Sequence, residues 1–441
     1  MQSTFALRIA ISVILVASGC ANQSTQKISH QIGAKPELPA PTHRLIPTID
    51  IAPATSWPAG ATPIPASDLT VGVLAEKLDH PRWLYVLPNG DVLVAETNAP
   101  PRPDEGKGIR AWFMKRAMTK AGAATPSANR ITLLRDADGD GIAEMRSTLL
   151  EGLNSPFGMA LVAKTLYVAN SDAIVGFDYI DGATRIDAKG VKLADLPAGP
   201  RNHHWTKNIL ASSDGTRLYV TVGSNSNAAE NGIEMETNRA AVLEVEIASG
   251  RTRVFASGLR NPNGLDWEPI TGRLWTTVNE RDELGNDLVP DYMTSLVDGG
   301  FYGWPYSYYG QHIDVRVKPQ RPDLVASAIM PDYALGSHTA SLGLAFYRGR
   351  LLPAHYAGGA FVGQHGSWNR KPPSGYKVIF VPFANGRPSG PAEDVLTGFL
   401  DAQGHARGRP VGVAVARDGA LLVADDVGNV VWRVAARASR L

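Results

Sequence analysis

The chain has 441 residues, a single cysteine (Cys20) and no apolar run long enough to cross a bilayer. One thiol excludes an intramolecular disulfide framework and any metal site built from several cysteines. Charge of one sign is also lacking: 43 Lys+Arg stand against 42 Asp+Glu, so no global field recruits nucleic acid or an anionic surface. Charged residues make up only 19% against 44% hydrophobic ones, which excludes an intrinsically disordered chain. The sequence has no strand-associated GxGxxG, Walker loop, HExxH or GxSxG elbow, so nicotinamide-Rossmann, NTPase, zincin and α/β-hydrolase chemistries lose their specific signals. Glycine and proline, 44 and 31 residues, are abundant instead. Each interrupts a helix at a cost of roughly 1 and 3 kcal/mol, so a helix-dominated fold is disfavoured.

At the N-terminus, Arg8 precedes the apolar stretch Ile9–Ala17. That stretch is too short for ~30 Å of hydrocarbon at about 1.5 Å per residue and reads as a signal-peptide core. Ala17-Ser18-Gly19-Cys20 is similar to a bacterial lipobox. The similarity implies a lipoprotein-type signal peptide over 1–20, a lipid anchor on Cys20 and, with Ala21 rather than aspartate next, the periplasmic side of the outer membrane. Cleavage near the same small residues would instead leave a soluble periplasmic protein. Residues 21–67 hold Pro36, Pro39, Pro41, Pro47, Pro53, Pro58, Pro63 and Pro65 without apolar periodicity. This composition predicts an extended, poorly packed spacer.

From residue 68 onward one pattern returns six times: an apolar stretch, a short turn usually containing Gly, and a strand-like run. Trp83–Val86, Asn89-Gly90 and Val92–Glu96 form the first, with Asn-Gly supplying the positive φ that a tight hairpin needs. The others begin at Phe157, Ile209, Gly264, Leu342 and Val411. Recurrence without an intervening helical period predicts an all-β, six-bladed β-propeller over 68–441. The last copy ends close to the C-terminus, so the final blade is expected to borrow an N-terminal strand and close the ring. A pair of β-sandwiches is the alternative. In a propeller the insertions Ala99–Arg130 and Asp282–Val317 would wall a site at one end of the channel.

Three groups of residues suit chemistry. Asn202-His203-His204-Trp205 places two imidazoles before a strand, and one histidine is a natural general base near neutral pH; a hydrogen-bonded loop feature is the plainer reading. In Gly258–Leu265, Arg260 and Asn261 sit in a Pro/Gly-rich turn, offering a planar donor fork for a carboxylate or a developing oxyanion, or for turn carbonyls. Asn279–Asp291 gathers oxygen donors, among them Asp282 and Glu283, that suit a hard cation such as Ca²⁺ or simply a solvated loop. Asp136–Gly141 begins like an EF-hand loop, but Ser147 stands at the twelfth position, so it reads as an Asp-rich turn.

These motifs occur in order with Asp298–Pro305, Ser337–Ala340, Gly363–Arg370 and Gly408–Val413. Together, over roughly Leu74 to Val434, the sequence resembles the quinoprotein glucose/sorbosone dehydrogenases, most closely the sorbosone branch. The resemblance implies a six-bladed propeller holding pyrroloquinoline quinone (PQQ) with Ca²⁺, oxidation of an aldose or a sorbosone-like aldehyde by hydride transfer to the quinone, and a separate electron acceptor. By the same matching His204 is the base and Arg260 stabilises the oxygen gaining charge. Asn261, His203, Arg407 and Arg409 contact the cofactor, with the paired arginines on its carboxylates, and His365, Arg370 or Lys371 stands in for the family's quinone-binding lysine, which has no direct equivalent here. Asp282 and Glu283 mark the loop whose carbonyls hold calcium. Leu153 stands where the glucose dehydrogenases have a substrate-contacting glutamine, and His203 where they have an aspartate. A non-enzymatic propeller binding a glycan or a partner protein is the alternative function, and a calcium-dependent lactonase of similar architecture a third.

Overall fold

The computed structural model describes residues 23–42, 48–101, 119–122 and 125–438. Cys20, the stretch before it, Pro47 and residues 102–118 of the first insertion lie outside them. Six antiparallel sheets form the ring expected from the hairpins. Blade I consists of Pro81–Val86, Val92–Glu96, Arg130–Arg135 and Met145–Leu150; blade II of Met159–Val162, Thr165–Ala169, Ala173–Asp178 and Val191–Asp195. Blade III consists of Ile209–Ala211, Arg217–Val222, Ala241–Glu246 and Thr252–Ser257; blade IV of Asn261–Trp267, Leu274–Asn279, Pro290–Ser295 and Tyr333–Ser337. Ser341–Phe346, Ala360–Gln364, Lys377–Val381 and Glu393–Thr397 form blade V. Pro410–Val415, Leu421–Asp425 and Val430–Ala436 form blade VI, completed by Leu69–Ala75 paired to Val430–Ala436. The N-terminal strand thus closes the ring as the hairpin count required.

The first strands touch from blade to blade right round the ring. Second strands such as Val92–Glu96, Ala360–Gln364 and Leu421–Asp425 are buried along their whole length, because a blade is covered on both faces by its neighbours. This explains their nearly continuous apolar character, where a one-sided sheet would alternate. The hydrophobic core accordingly divides into six clusters, one at each seam between adjacent blades. Leu84, Val94, Leu422 and Val431, for example, join blades I and VI.

The N-terminal segment differs from the poorly packed spacer expected. Ile32–Gly33 pairs with Leu335 and Ala334 outside blade IV, and Ile64–Pro65 with Thr397 and Leu396 outside blade V. Between them Asp50 N–H donates to the Trp368 carbonyl and Ala406 N–H to that of Pro53. Trp57 lies edge-on to Phe399 and Trp432 and donates its indole hydrogen to Asp425 at 2.8 Å. Apart from one 3-10 turn at Ile28–Gln31 the proline-rich chain stays extended, leaving carbonyls and backbone that partners elsewhere on the propeller satisfy.

Candidate active site

In an antiparallel blade the start of the first strand and the end of the second lie at the same end. All the candidate residues fall there. His203 and His204 precede Ile209–Ala211, Arg260 and Asn261 open blade IV, and Asp282 and Glu283 follow Leu274–Asn279. His365, Arg370 and Lys371 follow Ala360–Gln364, and Arg407 and Arg409 precede Pro410–Val415.

His204 Nδ1 lies 2.7 Å from the Ser224 carbonyl oxygen and 3.1 Å from its hydroxyl. A carbonyl only accepts, so Nδ1 carries the hydrogen, and in the neutral ring the lone pair sits on Nε2. Ser224 N–H donates to the Arg260 carbonyl at 2.7 Å, tying the imidazole to the arginine turn. Gly223 permits the closeness: a Cβ there would overlap Asn261 Oδ1 and His204 Cβ. Asn261 Oδ1 is itself a buried acceptor with no hydrogen-bond partner among the described residues. His203 is exposed, its ring edge-on to His204 at 4.7 Å and its N–H on Asn225 Oδ1.

The Arg260 guanidinium is 4% exposed and held on several sides. Nε and one Nη2 hydrogen go to the carbonyl and Oδ1 of Asn227, Nη1 to the Glu280 carbonyl at 2.6 Å, and Nη2 to Asp282 Oδ2 at 3.0 Å. Four of its five N–H groups are so engaged, leaving one Nη1 hydrogen. Asp282 also accepts from Asn369 Nδ2 at 2.7 Å and lies 3.5 Å from His338 Nδ1. Burial pushes the Asp282 carboxyl up, but Arg260, His338 and Asn369 outweigh it and hold it at about 2. Burial lowers the His338 pKa, yet Asp282 and the Gly285 carbonyl on its other nitrogen raise it overall.

A second cluster surrounds buried Asp426. Arg82 Nη1 approaches it to 3.0 Å, His365 Nε2 to 2.9 Å and His80 Nε2 to 3.5 Å. Burial would raise this carboxyl, but the two imidazoles and Arg82 keep it far below the usual carboxylate range. Burial lowers His80 to about 4 and also lowers His365, against the pull of Asp426 on both. Arg409 lies over the Tyr376 ring at 4.8 Å and donates to the carbonyls of Ala52 and His365. The Nε of Arg82 and of Arg409 are buried donors without partners. Half-buried Arg407 makes a backbone hydrogen bond to Phe399, and its guanidinium makes none among the described residues. Arg82 and Arg409 each bring to this cluster a guanidinium with a buried donor unmet among the described residues, which suits an anionic ligand.

Arg370, Lys371, Asp282 and Glu283 are the residues expected at the cofactor or at calcium. The Arg370 guanidinium is occupied by the carbonyls of Asn286 and Pro372, by Ser24 and by Asp287, so it anchors the N-terminal segment and does not face a ligand. Lys371 is exposed beside it. The Asp282 carboxylate is ion-paired, and its carbonyl already accepts from Asn227 Nδ2 and Arg316 Nη1, so both of its oxygen groups are committed to internal donors instead of calcium. Glu283 is exposed in a left-handed conformation with φ 71°. The acidic group that does gather is Asp136, Asp138, Asp140 and Glu144, within 4.8 Å of one another in the turn between the third and fourth strands of blade I, at the opposite end of the propeller. Its carboxylates accept the loop's own N–H groups, as in an Asp-rich turn.

Sequence reasoning passed over Ser224, Asn227, Arg82, His80 and Asp426, and assigned no role to His338 or Asn369. The last two lie inside the motifs Ser337–Ala340 and Gly363–Arg370 and were available as signals; Ser224–Asn227, a polar run directly after a buried strand, was another.

Residues 165–367 match the glucose/sorbosone dehydrogenase family. Residues 322–437 also match the TrAA12-like family. An aldose sugar dehydrogenase of Escherichia coli is 21% identical over 329 residues, covering 70% of this chain and 80% of that protein. The pyrroloquinoline quinone-dependent pyranose dehydrogenase of Coprinopsis cinerea is 35% identical over 299 residues, covering 54% of this chain and 40% of that one. The holo pyranose dehydrogenase PQQ domain from C. cinerea superposes with a TM-score of 0.68 at 20% identity over 88% of this chain and 100% of that one. A calcium structure of a Trichoderma reesei family AA12 enzyme does so with a TM-score of 0.69 at 17% identity, over 88% and 99%. At such identities these superpositions speak for the fold.

Proposed function

We propose that this protein is a PQQ-dependent dehydrogenase oxidising an aldose or a sorbosone-like sugar aldehyde and delivering the electrons to a separate acceptor. The observation that carries the reading is the Gly223 cradle. It packs the Nδ1-anchored His204 against Asn261 Oδ1, beside the turn that carries Arg260 and in the stretch that matches the dehydrogenase family. The orphaned Nε donors of Arg82 and Arg409 suit the carboxylates of PQQ, so the residues present fit the cofactor. When bound, PQQ supplies a two-electron acceptor for hydride. His204 takes the substrate hydroxyl proton on Nε2, and the Ser224 carbonyl stabilises the imidazolium that results. Arg260, fixed by Asn227, Glu280 and Asp282, offers its remaining N–H to oxygen that gains charge. Asn261 orients the ligand through Oδ1, while Arg407, Arg409 and Arg82 hold carboxylates. Ca²⁺ belongs to the reading through the relatives, with ligands other than the carboxylate and carbonyl of Asp282.

The test is a titration of the full chain with PQQ, with and without Ca²⁺, followed by absorbance and then by dye reduction against a panel of sugars and sugar aldehydes. Saturable binding with dye reduction is expected. Absence of binding would overturn the reading in favour of a glycan- or protein-binding propeller. We further propose that Cys20 carries a lipid anchor facing the periplasm, a reading supported by the lipobox-like Ala17–Cys20.

A further inference from the structure

The docked N-terminal segment leaves little slack between Cys20 and the propeller. Ser24 N–H donates to the Lys371 carbonyl, and the Ser24 hydroxyl donates to the Asp287 carboxylate while accepting from Arg370 Nη2 at 2.8 Å. Thr25 donates to Asp287 Oδ2 through N–H and Oγ1 at 2.7 and 3.0 Å, and Gln31 Nε2 to Oδ1 at 2.8 Å. Asp287 is 7% exposed, so this is a built anchor point. It lies in the loops after the second strands of blades IV and V, the end that carries His204 and Arg260. Arg370 adjoins Asn369, which bonds Asp282, which pairs with Arg260, so few contacts separate the anchor point from the site. Only three residues lie between Cys20 and Ser24, and the four steps along the chain, at 3.3–3.6 Å each, reach at most about 14 Å.

We infer that the acylated N-terminus holds the site-bearing end of the propeller against the lipid surface, with the rim around Asp287 and Lys371 nearest the headgroups. Lys27 and Lys371, exposed on this rim and without an ion pair among the described residues, suit anionic headgroups. The opposite end is farther away by the length of a blade strand, ~20 Å for six residues. This orientation sets the site within reach of an electron carrier at the bilayer surface. The inference rests on the lipid anchor, not on the identity of the cofactor.

The test uses the full lipidated chain in phosphatidylethanolamine–phosphatidylglycerol vesicles. With Cys20 acylated, an introduced cysteine is the only thiol available to a fluorophore. Lys371→Cys and Glu234→Cys label the site-bearing end; Asp214→Cys and Ile270→Cys label the turns between first and second strands of blades III and IV, and all four positions are exposed. Quenching by a headgroup nitroxide lipid is expected to be several-fold stronger at 371 and 234 than at 214 and 270. Equal or reversed quenching would overturn the orientation. If the wild-type chain takes up no labelled palmitate and floats with vesicles no better than Cys20→Ala, the anchor and the orientation fall together. The PQQ titration in solution is decided separately by its own result.

Discussion

Replacing Asp282 by Asn probes the least dispensable contact of the site. The carboxylate accepts from Arg260 at 3.0 Å and Asn369 at 2.7 Å and neighbours His338 at 3.5 Å. Removing one partner of a fully buried pair costs 3–5 kcal/mol. Asp282 is 16% exposed against 5% for Arg260, which places the loss near the lower bound, about 3 kcal/mol. At about 2.1 cal/mol/K of unfolding entropy per residue, roughly 390 described residues give ~0.8 kcal/mol/K, so the melting temperature should drop by about 4 °C. The pH dependence has a definite sign. The folded carboxyl sits at about 2, below the unfolded value near 3.9, so its stabilisation is complete above that value and disappears as pH falls through about 2. His338, raised by the same contact, adds stability that is full below its ordinary value and is lost as pH rises through its folded value. Calorimetry at several pH values should therefore show the largest deficit near pH 5–6, shrinking toward both extremes. A melting temperature within about 1 °C of wild type at pH 6 would refute the claim that Arg260 depends on this carboxylate.

Four further outcomes follow from the same geometry. His204→Ala should lower kcat by about 10²–10⁴-fold with PQQ affinity retained, and unchanged turnover would remove it as the base. Gly223→Ala forces a Cβ into His204 and Asn261, so thermal unfolding should show a loss of about 1–3 kcal/mol together with reduced turnover; a neutral variant would contradict the cradle. Joint replacement of Arg407 and Arg409 by Gln should weaken PQQ affinity more than substrate affinity, as read from absorbance titration and KM. Trp57→Ala removes the hydrogen bond of a half-buried indole to Asp425 and two edge-on ring contacts, so a loss of up to about 3 kcal/mol and faster proteolysis of the N-terminal segment are expected.

The ring was legible in the sequence because each blade begins with a local hairpin, and hairpins announce themselves through turn residues such as Asn89-Gly90 and runs such as Leu421–Asp425. Blade closure was legible for the same reason: the final copy had no room for a fourth strand before the C-terminus. The N-terminal segment was not. Its proline content predicts extended backbone without partners, but the partners of Ser24, Asp50 and Trp57 lie more than 250 residues away in the chain. No composition rule sees a donor at that separation.

Asp282 shows what a run of oxygen donors can mean. Asn279–Asp291 suits a hard cation or a solvated loop, and in the folded chain three guanidinium groups meet its oxygens: Arg260 the carboxylate of Asp282, Arg316 its carbonyl, and Arg281 Glu280. Neither Arg260 nor Arg316 is local to the loop: Arg260 precedes the first strand of the blade and Arg316 comes from the far side of an insertion. Asp426 repeats the pattern with Arg82 and His80, which arrive from the other end of the chain. In a closed ring the blades most distant in sequence are neighbours in space. The charges that position a site residue are therefore the part that local reading reaches last, while the residues that meet the ligand, carried on short motifs at the strand ends, are reached first.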